Sequence, residues 1–136
     1  MNPWRFAIFL TIALGIWAVV HSYVFWRLAG VPWVAVHVPR RALIIAAAAL
    51  WMSYPLARLL GSWRMDAVVR AVEFTAANWI GIVFLLFTMF LVVDAATLGG
   101  LLFSRHVPAL RSWAVGTALA LSVIALAQGL RPPVVR

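Results

Sequence analysis

Few side chains in this chain could do chemistry. Its 136 residues include eleven arginines and no lysine, three acids (Asp66, Glu73, Asp94) and three histidines (His21, His37, His106). Asp94 stands apart because it falls inside a long apolar run. An acid at such depth costs roughly 2.5–3.5 kcal/mol to insert into a bilayer, so it has to be paired or put to use. Chain direction places His21 and Arg27 at a depth comparable to that of Asp94. We therefore expect an interhelix polar clamp of Asp94 with His21 and Arg27; the alternative is a proton relay or ligand site built on Asp94 and His21. Asp66, Arg70 and Glu73 are spaced four and three apart and share one helical face, which predicts interfacial charge pairs, Glu73 meeting Arg70 or Arg58. Asn78 is expected to hydrogen-bond between helices.

Much else is excluded. With no cysteine there are no disulfides, thiolate nucleophiles or cysteine-ligated metals. A b-type haem needs two imidazoles facing each other across a bundle, and no two histidines fall at matched depth inside two spans. The histidines and acids also lack the spacing of a zinc set. There is no glycine-rich phosphate loop, nucleophile elbow or paired-carboxylate site. The residues themselves assign no catalytic group, no metal ligand and no cofactor.

The elements that must position these groups are four apolar stretches, approximately 4–28, 41–60, 74–98 and 109–130, within one domain, 1–136. Hydrophobic residues make up 66% of the chain and charged residues 10%, and the mean hydropathy is +1.05. Crossing a hydrocarbon core takes about 20 helical residues, which each stretch supplies. Barrel strands would alternate polar and apolar, and the run Leu43-Ile44-Ile45-Ala46-Ala47-Ala48-Ala49-Leu50 does not. The first stretch is too long for a cleaved signal peptide and has no clean small-x-small site after it. The expected fold is all-α: an integral membrane bundle of four transmembrane helices, with an amphipathic interfacial segment at 62–73 resting on the membrane or running into the third span. If that helix is continuous from Asp66 to Leu98, it extends for about 50 Å. Residues 29–39 should form a half-buried loop, and Ser53-Tyr54-Pro55 should bend or fray the second span. Ala95, Ala96, Gly99 and Gly100 offer a close-approach surface beside Asp94, where the first and third spans should meet; a leucine at Ala95 or Gly99 should disturb that contact.

The net charge of +8 does not indicate nucleic acid here. Arginines at the ends of apolar spans snorkel toward lipid phosphates. Six arginines share the side of the two termini (Arg5, Arg58, Arg64, Arg70, Arg131, Arg136) and five the other (Arg27, Arg40, Arg41, Arg105, Arg111). The charge rule therefore leans toward both termini being cytoplasmic. The use of arginine throughout is associated with GC-rich bacterial genes, which suggests a bacterial inner membrane.

The run His21-Ser22-Tyr23-Val24-Phe25-Trp26-Arg27-Leu28 resembles the end of the first helix in bacterial membrane-anchored calcineurin-like metallophosphoesterases. Pro39-Arg40-Arg41, Ser53-Tyr54-Pro55, Trp79 with Gly81, Asp94, and the segment from Gly129 to Arg136 have counterparts in the same family. The likeness covers nearly the whole chain, in soft hydrophobic patterns. It implies a membrane module that precedes a two-metal hydrolase domain. The D-x-H, G-D, N-H-[ED] and G-H-x-H motifs of that domain are absent, so no catalytic residue transfers and the two-metal site cannot be assembled. The resemblance thus implies the membrane module alone, ending about where the hydrolase would begin.

Three functions follow as expectations. The first is a non-catalytic anchor or scaffold, with the lipid bilayer and a protein as partners. The second is a small accessory subunit of an energy-transducing or photosynthetic complex, packing through aromatic helix faces. The third is a transporter-like or ligand-binding bundle using Asp94 and His21.

Overall fold

The computed structural model describes residues 2–60 and 67–129. These form helices α1 (Pro3–Ala29), α2 (Pro32–His37), α3 (Arg40–Leu60), α4 (Ala67–Ala96) and α5 (Val107–Gly129), with one 3-10 turn at Leu98–Gly100. The described part is all-helical. Among the described residues three helices are long and apolar enough to cross a membrane: α1, the Arg70–Ala96 part of α4, and α5.

Local chemistry accounts for the ends of α1. Asn2 caps it by accepting from the Trp4 N–H at 3.3 Å, and Pro3 takes the first turn, where its missing N–H leaves nothing unsatisfied. Gly30 closes the other end, donating its N–H to the Arg27 carbonyl, while the Val31 N–H bonds the Leu28 carbonyl. Residues 29–39 differ from expectation. They contain the helix α2, started by Pro32, which buries Val34 and leaves Trp33 and Val36 exposed, with Val31 buried just before it. A short amphipathic helix satisfies its own backbone at the surface of the bundle, which an irregular loop would not. Pro55 lies inside α3, and the helix continues past it to Leu60.

α4 begins at Ala67 and its 30 residues span about 45 Å, so of the two arrangements expected before 74, residues 67–73 run into the span, while 62–66 lie outside the described residues. No proline or glycine interrupts 67–80, so 67–73 is simply the start of α4. It ends at Ala96, two residues earlier than expected. Thr97, almost fully buried, donates its hydroxyl to the Val93 carbonyl, and its own carbonyl accepts the N–H groups of Gly100 and Leu102. The chain then reverses through positive φ at Leu98, Gly99, Gly100 and Phe103. Gly99, at φ 71°, is therefore part of the turn and not of a helix face.

The apolar core is Val24, Val31, Val34, Val83, Leu86, Phe90, Ala114 and Ala118. It lies toward the end of the bundle where α1 and α4 finish and α5 begins. The first half of α1 lies outside it, with Trp4, Phe9, Ile12 and Ile16 more than half exposed.

Candidate functional site

Three helix ends converge on Asp94, which sits in the last turn of α4. Arg27 closes on it from α1, Nη2 to Oδ2 at 2.6 Å, and Arg111 approaches from the start of α5, Nη2 to Oδ1 at 3.6 Å. The Tyr23 hydroxyl donates to the same Oδ2 that Arg27 contacts. Tyr23 and Arg27 are four residues apart, so they lie on one face of α1 and reach Asp94 together. Arg27 is stacked over the Trp26 ring, 4.2 Å from its centre, and Tyr23 is held edge-on by Phe87 at 5.5 Å. Arg111 packs against the Gly30 backbone; a Cβ there would lie 3.3 Å from Nη1.

The electrostatics are uneven. One carboxylate sits between two guanidiniums, a local balance of +1, and the three side chains are only 11–15% exposed. The Nε atoms of Arg27 and Arg111 are buried without a hydrogen-bond partner. Such a cluster cross-links helices strongly, because withdrawing any one charge leaves another uncompensated in a poor solvent. No family model, curated protein or solved structure matches this chain. The site has to be read from its own geometry.

That geometry separates the expected trio. Asp94 and Arg27 meet, but His21 does not join them. His21 precedes Tyr23 by two residues, about 200° around the helix, and therefore faces α3 instead of α4's last turn. Its Nε2 lies 3.0 Å from the Ala47 carbonyl, and since a carbonyl only accepts, Nε2 carries the proton. The ring is stacked on Phe25 (5.0 Å) and flanked by Trp17 and Trp79. His21 is thus a pin between α1 and α3 in an aromatic cage, at the back of a groove shared with Ala18, Ser22, Ala47 and Trp51.

The other expected contacts also differ. Asn78 donates to the Phe74 carbonyl of its own helix at 2.7 Å, so it does not bridge helices. Within an apolar helix the carbonyl one turn back is the nearest acceptor. Arg70 and Glu73 are both exposed and form no ion pair with each other; Asp66 lies outside the described residues. Ala95 and Ala96 are exposed, and nothing stands within 4 Å of a Cβ at Gly99, so the small residues beside Asp94 are not the helix contact. Among the described residues no three histidine or acidic side chains converge as a metal site would require.

Sequence reading missed two members of the knot. Tyr23 carried a signal in its i,i+4 relation to Arg27. Arg111 looked like any arginine at a span end, and nothing short of the α4–α5 turn geometry distinguishes it from Arg105.

Proposed function

We propose that the chain is a non-catalytic membrane module in which α1, α3, α4 and α5 all cross the bilayer, acting as an anchor or scaffold for a hydrolase domain or partner subunit. The resemblance to the membrane part of calcineurin-like metallophosphoesterases suggests the hydrolase. The observation that carries the reading is the use made of Asp94, the only acid deep in a span. It is engaged by Tyr23, Arg27 and Arg111, from two other helices, and so is committed to joining helices. A part whose one deep acid is spent on cohesion, with apolar faces turned outward, suits positioning better than transport. The 21 residues of α3 reach about 30 Å, the thickness of a hydrocarbon core. In this reading both termini lie on the cytoplasmic side of a bacterial inner membrane.

The native chain has no cysteine, so single-cysteine labelling tests the topology cleanly. Cysteines replacing Asn2, Arg70 and Ala127 should be labelled from one side and a cysteine replacing Val36 from the other. Labelling of Val36→Cys from the same side as Asn2→Cys sinks the four-span arrangement.

The exposed first half of α1 favours a second reading, an accessory subunit whose partner covers that segment. It predicts that another subunit copurifies in fixed ratio in mild detergent.

A further inference from the structure

The end of the bundle that holds the Asp94 knot carries more positive charge than the knot absorbs. α1 and α4 finish there and α3 and α5 begin there, which brings Arg27, Arg40, Arg41, Arg105 and Arg111 to the same end as a single acid, Asp94. Arg27 and Arg111 are engaged by Asp94. Arg40, Arg41 and Arg105 are exposed and make no ion pair among the described residues. Trp26, Trp33, Phe103 and Trp113 are exposed toward the same end, as amphipathic rings are at a membrane–water boundary.

Beside these arginines, between the end of α1, α2 and the start of α3, lies a slot of about 260 Å³. Its walls are Ala29, Val34, Ala35, Val38 and Leu43, and its one charged lining residue is Arg40, itself exposed. Apolar walls with a cation at the edge do not suit a soluble anion, which would lose hydration against Val38 and Leu43 for little return. They suit an amphiphile with a negative head. A guanidinium group matches phosphate oxygens geometrically.

We propose that this slot binds an anionic phospholipid, its phosphate on Arg40 and the glycerol end of its acyl chains against Ala29, Val38 and Leu43. The proposal rests on the membrane-embedded reading above. It assigns the arginines of this end different tasks: Arg27 and Arg111 hold the fold, Arg40 holds lipid.

The test uses the full chain in phosphatidylcholine nanodiscs with or without phosphatidylglycerol, the retained lipid being measured by native mass spectrometry. Phosphatidylglycerol should be retained selectively. The substitution Arg40→Gln should weaken retention about 5-fold, one juxtamembrane charge's worth. Ala35→Phe fills the slot without altering charge and should also abolish selective retention. Arg105→Gln removes a charge outside the slot's lining and should leave retention nearly unchanged. Equal losses for Arg105→Gln and Arg40→Gln would reveal only a diffuse charge effect and overturn the proposal, as would undiminished retention by Ala35→Phe. Displacement of the lipid by inorganic phosphate would overturn it in favour of a soluble anion. Flotation separates the two readings: a reconstituted chain that floats with vesicles of either kind yet retains no phosphatidylglycerol selectively sinks this proposal alone, whereas one that floats with neither sinks the membrane-embedded reading.

Discussion

At Asp94 the partners differ in how tightly they hold, and so should the cost of losing them. Removing one member of a buried charge pair costs about 3–5 kcal/mol because the survivor is stranded. The side chains here are 11–15% exposed, which argues for the lower end of that range. Asp94→Asn should therefore cost about 3 kcal/mol, with two guanidiniums left uncompensated. Arg27→Met should be more damaging than Arg111→Met, since Arg27 sits at 2.6 Å and Arg111 at 3.6 Å. Tyr23→Phe removes a hydrogen bond to a charged acceptor and should cost about 1.5–3 kcal/mol. Thermal unfolding in a mild detergent measures all four. An Asp94→Asn variant that melts like the parent would show that the knot does not hold the bundle, and would return Asp94 to the ligand-site reading. This much was half legible beforehand: depth along a span pairs Asp94 with Arg27. The angle around the helix decides against His21, and it matters only once the orientation of α1 toward α3 and α4 is known.

Helices and turns are governed by a different constraint, backbone conformation, and the glycines make it testable. Gly99 has φ 71° in the reversal between α4 and α5, with open space where a Cβ would go. Gly99→Ala should thus cost about 1 kcal/mol or somewhat more through left-handed strain alone, and Gly99→Leu little beyond that. Gly116 sits inside α5 with equally open surroundings, so Gly116→Ala should be neutral or stabilise by up to about 1 kcal/mol. At Gly30 the direction is set by sterics: φ is −88°, which alanine tolerates, but its Cβ would crowd the Arg111 guanidinium. Gly30→Ala should accordingly lower stability, and the loss should shrink in an Arg111→Met background. A double-mutant cycle read by thermal unfolding checks the coupling; additive losses would place the Gly30 effect elsewhere. The span-length helices and their approximate ends were legible because length and hydropathy define a span. The helix α2 was not, since 32–37 suits a surface helix or a loop equally well; for 67–73 the sequence left open a helix resting on the surface and one running into the span.

At the scale of the molecule, the described residues concentrate their cohesion at one end. The core residues Val24, Val83, Leu86, Phe90 and Ala114 and the Asp94 knot all belong to it, while the first half of α1 makes little use of its own chain. Sequence could not reveal this asymmetry. In helices apolar enough to cross a membrane, core-facing and outward-facing positions are both apolar, so no amphipathic stripe separates them. Substitution can separate them. Phe90 is 1% exposed and Val24 fully buried, so Phe90→Ala should cost about 3–5 kcal/mol if soluble-core values carry over, and Val24→Ala a smaller amount. Phe9→Ala and Ile12→Ala remove side chains that are 66% and 57% exposed and should leave the melting temperature of the isolated protein unchanged. Their effect on what copurifies then discriminates between the two readings of function. If the chain is an anchor whose α1 faces only lipid, Phe9→Ala and Ile12→Ala are silent in both assays. If a partner subunit covers α1, the same substitutions reduce the copurified partner while the melt of the isolated chain stays where it was. A large melting loss from Phe9→Ala would contradict both, because it would mean that the first half of α1 packs within its own bundle.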